Sequence, residues 1–319
     1  MQVFSMSDTK FNLGIQDVAV YIPSTRIDNL AQGSQYETDS DFVLEKIGVR
    51  ELPRLGEDET VTMACKQAFA RLLEKTALDP NEIECIVVCT QTPDMGGIPH
   101  TSALVHAAIS APEASACFDI GLGCSGYVYC LQVVTSFMQM HGMRKGLLFT
   151  CDPYSRILDA NDKNTSLLFG DAATVTLISD APKFVSKSVK FATRGSAAEA
   201  LTKKSGNLYM NGRAVFNFAL TDVPKQISEL IDASGMSKEQ IDLFLLHQGS
   251  KFMLENTIKR IDGIADRAPV DLELTGNTVS SSIPVLLEKH LGKDGLNTIL
   301  MSGFGVGLSW ASAIYTKPE

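Results

Sequence analysis

The sequence predicts an α/β fold built from two similar halves, and three observations support this. Short, almost continuously apolar runs alternate with helical stretches, which is the pattern of strands buried in a parallel sheet. The segment that runs from Leu78 through CIVVCT reappears 158 residues later, from Met236 through LFLLHQ. The chain has 319 residues, 45% of them hydrophobic, so it can bury a core without metal or disulfide support.

In the first half, a stripe of apolar residues predicts a helix over residues 59–76, which Asp79-Pro80 ends. Four apolar runs after this helix predict the strands of a sheet. These runs cover residues 83–89, 116–120, 146–151 and 172–179.

In the second half, the same alternation predicts further strands at residues 241–246, 297–301 and 310–315. A duplicated α/β unit is the simplest explanation, with one half at residues 1–180 and the other at 181–319. We expect the functional site where the carboxyl ends of the strands of the two halves meet.

Composition excludes several classes of function. The net charge is -9, with 28 Lys and Arg against 37 Asp and Glu, so we expect no nucleic-acid partner. No apolar run approaches the roughly 18 residues of a membrane span, and residues 1–10 lack the features of a signal peptide, so we expect a cytoplasmic protein with no membrane partner. The seven cysteines include no Cys-x-x-Cys pair or zinc-type spacing, so we expect reduced thiols and no metal site.

Cys124 is the candidate nucleophile. It follows the predicted strand at residues 116–120 through the turn Gly121-Leu122-Gly123 and precedes a helical stretch. Free backbone N–H groups and the positive end of the helix dipole are expected to lower the pKa of a thiol in such a place. A cysteine in an apolar stretch is otherwise usually a core residue, but the position after a glycine turn favours a nucleophile.

His247 and Asn277 are candidates for binding developing charge. His247 ends the strand at residues 241–246, so we expect its ring to project into the crevice between the halves. Asn277 follows a glycine, and its side-chain N–H groups can donate to an oxyanion; the alternatives are a structural histidine and a turn asparagine. The glycine-rich run at residues 303–307 can bring backbone N–H groups close to a substrate, as an oxyanion hole requires.

The segments around these residues resemble the β-ketoacyl-acyl-carrier-protein synthase III family of the thiolase superfamily. They are FDIGLGCSGYVYCL around Cys124, LLHQGS around His247 and TGNTVSSSIP around Asn277, flanked by SLLFGDAATV and SGFGVGLSWAS. The resemblance spans nearly the whole chain. It implies the α/β thiolase fold, with five layers in the order αβαβα, two pseudo-repeated halves and usually a homodimer.

The resemblance also implies an activity, that of an acyltransferase of the β-ketoacyl synthase III type. Cys124 would take the acyl group of an acyl thioester, and His247 and Asn277 would bind the carbonyl of a malonyl-carrier extender. Loss of CO2 would give an enolate that attacks the acyl group, while the amides of Cys124 and of the Gly305-Val306 turn hold the oxyanion. The implied substrates are acyl-CoA or acyl-carrier thioesters, with acyl carrier protein as partner and no metal or other cofactor.

Some residues depart from the family pattern. At the substrate entrance, the family's Trp and Arg that clamp coenzyme A fall at Phe42 and Lys46, and its carrier-docking Arg falls at Phe252. The bulky residue that often closes the acyl pocket across the dimer falls at Ile98. Val306 interrupts the family's glycine run, which is unfavourable if this position needs a positive φ. These differences favour a specialised homologue.

Three other functions stay open. The Gly-x-Gly-x-x-Gly at residues 121–126, with Asp152 ending the next strand, is formally a dinucleotide fingerprint, although its cysteine and serine would crowd a pyrophosphate. An enzyme of the same fold can pass the acyl group from Cys124 to a hydroxyl or amine, with His247 as general base. The third is a non-catalytic subunit of a heterodimer.

Overall fold

The computed structural model describes residues 12–318. Residues 1–10, from which we expect no signal peptide, lie outside the described residues. The strands are β1 (Gly14–Tyr21), β2 (Thr25–Asp28), β3 (Glu51–Arg54), β4 (Cys85–Cys89), β5 (Ala116–Ile120), β6 (Lys145–Cys151), β7 (Ala173–Ser179), β8 (Val185–Thr193), β9 (Leu201–Lys204), β10 (Asn207–Met210), β11 (Leu243–Leu246), β12 (Thr298–Gly305) and β13 (Ser309–Thr316). The helices are α1 (Asn29–Gln35), α2 (Val61–Lys75), α3 (Thr101–Ala108), α4 (Gly126–Met140), α5 (Lys163–Ser166), α6 (Gly212–Ser234), α7 (Lys251–Lys259) and α8 (Ser282–His290).

The first sheet has five strands in the order β1-β7-β6-β4-β5. Its interior is parallel, because β4 pairs in parallel with both β5 and β6, whereas β7 is antiparallel to β6 and β1. Every residue of β4 is buried, as its unbroken apolar run predicts. The carboxyl ends of β4, β5 and β6 therefore meet at one edge of the sheet.

The second sheet has four strands in the order β11-β12-β13-β8, with β11 and β12 parallel and the other pairs antiparallel. The chain passes from the first sheet to the second between Ser179 and Val185. The division into halves at 1–180 and 181–319 stays a prediction, because the two sheets share the helices that lie between them.

The helices and sheets form five layers in the order αβαβα. α2 and α3 pack on the outer face of the first sheet, α6 and α7 on the outer face of the second, and α4 and α8 lie between the sheets. α4 buries residues on more than one side, among them Val128, Cys130 and Leu131, as an internal helix must. The residues that directly precede α4 therefore lie at the interface between the two sheets.

Both copies of the sequence repeat form the same local structure. A short 3₁₀ turn at Pro80–Glu82 leads into β4, and a matching turn at Lys238–Gln240 leads into β11. Each strand starts two residues later than its apolar run predicts, because Ile83 and Ile241 still close these turns. In both sheets, the chain therefore enters a parallel strand, β4 or β11, through a short 3₁₀ turn.

Candidate active site

Cys124 lies in the turn that joins β5 to α4. The helix begins at Gly126 with Ser125 as its cap, so Cys124 stands just before it. The turn is tight: the Gly126 N–H donates to the Gly123 carbonyl at 2.7 Å. A Cβ at Gly126 would come within 2.5 Å of the Cys89 sulfur. Glycine at this position therefore lets the turn approach β4 closely and holds Cys124 in the interior.

His247 follows β11, and its backbone N–H donates to the Ser302 carbonyl at 2.9 Å, which extends the pairing with β12. The ring Nδ1 lies 2.7 Å from the Ser282 Oγ, and the ring stands edge-on to Phe304 at a centroid distance of 5.5 Å. Burial lowers the pKa of His247 to about 3. The imidazole is therefore neutral near pH 7, and it can donate from Nε2 when Ser282 donates to Nδ1.

Asn277 is fixed by its own turn. Gly276 before it has a φ of +63°, and the Asn277 N–H donates to the Leu168 carbonyl at 2.9 Å. The side-chain oxygen accepts the N–H of Val279 at 2.9 Å, while the side-chain nitrogen lies 3.5 Å from the Gly249 carbonyl. Because the side-chain oxygen already accepts a hydrogen bond within the turn, the NH2 group is the part of the amide that can donate a hydrogen bond to a substrate.

Cys124, His247 and Asn277 line one cavity of about 430 Å³. They reach it from three distant stretches of the chain. Most of the remaining wall is apolar and is formed by Phe42, Ile47, Leu168, Phe169, Leu201, Met210, Val215, Phe216, Met253 and Phe304. A few convergent polar groups in an apolar cavity are typical of a small-molecule site.

Gly305 and Val306 approach Cys124 from the end of β12. A Cβ at Gly305 would come within 2.8 Å of the Cys124 sulfur, so glycine allows this approach. The backbone N–H groups of Val306 and of Cys124 itself are directed at the sulfur. Val306 does not adopt a positive φ, so this position does not require glycine. The two predicted N–H donors therefore converge beside the sulfur, as an oxyanion hole requires.

The expectation of a low thiol pKa at Cys124 is wrong. Burial raises the pKa of Cys124 to about 12, and the nearby charge of Asp152 raises it as well, against the opposing effect of the Val306 and Cys124 amides. The burial of the sulfur therefore outweighs the backbone N–H groups that favour the thiolate. The thiol is thus protonated at neutral pH, and its proton must leave during acyl transfer.

Asp152 directly follows β6 and is buried. Its carboxylate accepts the Gln91 N–H at 2.6 Å and the Ser280 hydroxyl at 2.5 Å. Burial raises the pKa of Asp152 to about 6, although these hydrogen bonds lower it. A carboxylate enclosed in this way cannot reach a ribose, which removes the main structural support for the dinucleotide alternative.

The four predicted entrance residues occupy different places. Phe42 lines the cavity. Lys46 and Phe252 do not line it, but they contact each other beside it, with the Lys46 ammonium 4.0 Å above the Phe252 ring, and Phe252 stacks on the cavity residue Phe216. Ile98 is 85% exposed and lies outside the cavity wall. Within one chain, Phe42, Lys46 and Phe252 are therefore brought together, and Ile98 is not.

Several polar residues of the site were not predicted individually, among them Ser282, Arg213, Asn164 and Ser250. Ser282, the hydrogen-bond partner of His247, lies within the quoted motif TGNTVSSSIP, but the sequence does not show which serine faces the imidazole. Arg213, near the start of α6, contributes the only positive charge to the described cavity wall. No local pattern distinguishes this arginine from others at the surface.

Within residues 12–318, no group of three or more His, Cys, Asp or Glu side chains is arranged to hold a metal ion. In the same part of the chain, no helix is both long and apolar enough to cross a membrane. All seven cysteines are free thiols, and only Cys117 is partly exposed.

Comparison with known proteins gives consistent results. Two family models match: 3-oxoacyl-[acyl-carrier-protein (ACP)] synthase III at residues 118–195, and the C-terminal model of that synthase at residues 231–317. The first range contains Cys124, and the second contains His247 and Asn277. The β-ketoacyl-[acyl-carrier-protein] synthase III of Streptococcus mutans is 34% identical over 94% of this chain and 98% of the relative.

Solved structures agree with these sequence matches. The 3-oxoacyl-(acyl-carrier protein) synthase of Burkholderia xenovorans is 30% identical with a TM-score of 0.88, covering 97% of this chain and 95% of that one. The synthase III of Pseudomonas aeruginosa is 25% identical with a TM-score of 0.87, covering 97% and 99%. The predicted thiolase fold is thereby confirmed.

Proposed function

This chain belongs to the β-ketoacyl-[acyl-carrier-protein] synthase III family and is a condensing enzyme, and from that premise we propose which of its residues carry out each step. The observation that carries the proposal is that Cys124, His247 and Asn277 line one cavity. The proposed substrates are an acyl thioester and a malonyl thioester of acyl carrier protein. The product is a β-ketoacyl thioester.

In the first step the Cys124 sulfur attacks the carbonyl carbon of the acyl thioester. A new C–S bond forms on Cys124, the C–S bond to the donor breaks, and the proton of the Cys124 thiol ends on the departing thiol. The oxyanion formed on the way accepts hydrogen bonds from the amides of Cys124 and Val306. Because Gly305 has no side chain, space for this tetrahedral centre remains beside the Cys124 sulfur.

In the second step the malonyl thioester binds with its carbonyl oxygen between His247 and Asn277. Its carboxylate leaves as CO2, and the electron pair of the broken C–C bond forms an enolate. The negative oxygen accepts hydrogen bonds from the His247 Nε2 and the Asn277 NH2 group, both of which are fixed before substrate arrives. Such preorganised donors stabilise the transition state without rearrangement.

In the third step the enolate carbon attacks the acyl carbonyl on Cys124. A C–C bond forms, the C–S bond to Cys124 breaks, and the sulfur leaves as a thiolate that takes up a proton. Burial favours the protonated thiol, because it raises the pKa of Cys124 to about 12. The enzyme thus returns to its starting state.

Transfer of the acyl group to a hydroxyl or amine is the weaker alternative. It requires a general base, and the best catalytic base has a pKa near the working pH. The pKa of His247 is lowered to about 3 by burial, which makes the ring a poor base. Condensation instead uses the neutral imidazole as a hydrogen-bond donor, so the site favours condensation.

The proposed reaction needs no metal or other cofactor, since N–H donors stabilise both oxyanions. Full activity after treatment with EDTA is the expected result, and loss of activity that zinc or magnesium restores would contradict it. We place the enzyme in the cytoplasm, where its free thiols stay reduced.

The carrier protein is proposed to dock near the carboxyl end of α7. Lys251 is already paired with Glu45 at 2.7 Å, and Phe252 carries no charge, so neither position offers a free cation. Lys259 and Arg260 are exposed at the end of this helix and can attract an acidic carrier. Reversing both charges with Lys259→Glu and Arg260→Glu should raise the KM for malonyl-carrier and leave kcat near the parental value. An unchanged KM would contradict this docking site.

A homodimer is proposed because β5 is the edge strand of the first sheet and its residues, though mostly apolar, are all partly exposed. An exposed apolar edge strand offers a surface on which another chain can pair. The nearby loop also exposes Met95 and Ile98. A molar mass of one chain by light scattering at micromolar concentration would contradict the dimer.

The decisive experiment for the reaction is to incubate the protein with isotopically labelled acyl thioesters and measure the mass of the Cys124 peptide. Malonyl-carrier is then added, and CO2 release and loss of the adduct are followed. An adduct discharged by malonyl-carrier with CO2 release supports condensation, whereas one discharged only by an alcohol or amine supports acyl transfer.

Two variants complete this experiment. Cys124→Ala should abolish the adduct, and Cys117→Ala is the matched control because Cys117 is the most accessible of the other thiols. Absence of any adduct on the parental protein, or an adduct that persists in Cys124→Ala, would contradict the assignment of the nucleophile.

A further inference from the structure

Each oxygen of the buried Asp152 carboxylate contacts a different segment of the site. Oδ1 accepts the Gln91 backbone N–H at 2.6 Å, and Oδ2 accepts the Ser280 hydroxyl at 2.5 Å. Asp152 directly follows β6, is only 1% exposed and does not line the cavity. Any effect of Asp152 on a bound substrate is therefore exerted through these two segments.

Gln91 lies against the turn that carries the nucleophile. A Cβ built on Gly123 would be 2.5 Å from the Gln91 side-chain oxygen, so this oxygen contacts the residue that precedes Cys124. The Tyr154 hydroxyl donates to the same oxygen at 2.5 Å. Because Asp152 holds its backbone and Tyr154 holds its side chain, Gln91 is a fixed support for the nucleophile turn.

Ser280 lies in the segment that carries the proposed enolate donors. Asn277 begins this segment, and Ser282, the hydrogen-bond partner of His247, ends it. The backbone N–H of Ser280 is directed at the Asp152 carboxylate together with the hydroxyl. A shift of Ser280 would therefore move both Asn277 and the residue that orients His247.

The same segment contains a strained residue. Val279 is buried and has a φ of +54°, a conformation that β-branched residues rarely adopt. Such strain persists only where the surrounding contacts enforce it. The Val279 N–H donates to the Asn277 side-chain oxygen at 2.9 Å, and the next residue, Ser280, is held by Asp152. Loss of the Asp152 contact would let Val279 relax, and Asn277 would move with it.

Formation of the carbon–carbon bond depends on both segments at once. Acyl loading uses the turn at Cys124, and decarboxylation uses His247 and Asn277, but condensation needs the enolate carbon about 3–3.5 Å from the acyl carbon. A misplacement of about 1 Å can cost about 100-fold in rate. An enolate that does not reach the acyl group takes a proton from water and leaves as acetyl-carrier.

We propose that Asp152 is a positioning residue that aligns the acylated Cys124 with the enolate at His247 and Asn277, and thereby couples decarboxylation to carbon–carbon bond formation. The proposal deepens the proposed function and rests on it. Without Asp152, acyl loading and CO2 release should continue, but most of the CO2 should not be matched by β-ketoacyl product.

The test starts from protein whose Cys124 carries a labelled acyl group, verified by intact-protein mass. Malonyl-carrier is added for a single turnover, and CO2, β-ketoacyl-carrier and acetyl-carrier are quantified. The parental protein should form about one β-ketoacyl product for each CO2, as the stoichiometry of the condensation requires. Asp152→Ala should lower this ratio to about a tenth, with acetyl-carrier as the other product and the acyl group retained on Cys124. A merely structural role would slow every step and leave the ratio unchanged.

Three further variants sharpen this experiment. Ser280→Ala removes only the contact to the enolate segment, so it should also lower the ratio, and it serves if Asp152→Ala does not fold. Asp152→Asn can accept the Gln91 N–H and donate to the Ser280 hydroxyl, so it should keep the ratio within about threefold of the parental value. Asp242→Ala is the matched control, because this carboxylate also accepts two backbone N–H groups, at 2.7 and 2.8 Å, but at the opposite end of β11.

The product ratios separate the possible results. An unchanged ratio in both Asp152→Ala and Ser280→Ala would overturn the proposal. A ratio for Asp152→Asn or Asp242→Ala as low as that of Asp152→Ala would overturn it as well. Absence of β-ketoacyl product from the parental protein would instead overturn the proposed function.

Discussion

The Ser282 hydroxyl oxygen lies 2.7 Å from Nδ1 of His247, and both side chains are buried. Ser282 is the first residue of α8, whereas His247 follows β11, so the contact joins two elements of the second half at the cavity. A hydroxyl that donates to Nδ1 leaves the ring proton on Nε2. This tautomer is the one that can donate to an enolate oxygen.

Ser282→Ala should slow decarboxylation of malonyl-carrier about tenfold, the loss expected for one hydrogen bond of about 1.4 kcal/mol that orients the imidazole. Acyl loading of Cys124 should stay within about twofold, because that step uses the backbone amides beside the sulfur. The two rates are measured separately by CO2 release and adduct mass. Ser234→Ala, at the far end of α6, is the control; equal losses in both rates would refute the role of Ser282.

His247→Ala and Asn277→Ala should each keep acyl loading and lose decarboxylation by about two to three orders of magnitude, the effect of removing one oxyanion donor. CO2 release from malonyl-carrier measures the loss, and the mass of the acylated protein verifies loading. Release of CO2 at the parental rate by either variant would show that the enolate is stabilised elsewhere.

Gly305→Ala should abolish or strongly slow acyl loading, because the added Cβ would lie 2.8 Å from the Cys124 sulfur and would displace it from the oxyanion hole. The measurement is the rate of adduct formation. Gly195→Ala is the matched control, since a Cβ there meets no atom within 4 Å and the residue does not have a positive φ. Loading by Gly305→Ala as fast as by Gly195→Ala would contradict the close approach.

Ionisation of Asp152 should destabilise the folded protein. Burial raises the pKa of Asp152 to about 6, from an ordinary value of 3.8, so the native state holds the proton more tightly than the unfolded chain. The stabilising effect of this group is therefore full below pH 4 and is lost as the pH rises to about 6.

Comparison with Asp152→Asn isolates this effect from the other carboxylates. The difference in the free energy of unfolding, parental minus variant, should fall by up to about 3 kcal/mol between pH 4 and pH 7, at about 1.4 kcal/mol for each pKa unit. Urea unfolding at four pH values measures it. If this difference in the free energy of unfolding stays constant or increases with pH, the pKa of Asp152 is not raised in the folded protein.

Much of the fold follows from local pattern. The unbroken apolar run of β4 predicts a buried strand, and the alternation of strands and helices predicts the layers. Helix α2 begins at Val61 instead of residue 59, because the Thr60 side chain caps it by accepting the Met63 N–H at 3.1 Å. Such shifts of one or two residues are set by capping contacts, which sequence periodicity does not specify.

The identity of the candidate site residues is also a property of the sequence. Cys124 after a glycine turn, His247 after a strand and Asn277 after a glycine each stand where a strand or turn ends, and their segments carry the resemblance to the family. Their roles in catalysis stay predictions that the experiments above test.

Only the tertiary structure decided the chemistry of these groups. The pKa of Cys124 is raised instead of lowered because burial of the sulfur and the charge of Asp152 outweigh the Val306 amide, which lowers it. Asp152 and Val306 both lie far from Cys124 in the sequence. The hydrogen bond from the Tyr154 hydroxyl to Gln91, which lies against Gly123 next to the nucleophile, likewise joins segments 63 residues apart. Residue type and local pattern determined which groups could react, whereas burial and long-range contacts, which exist only in the folded chain, determined their charge state and the space around them.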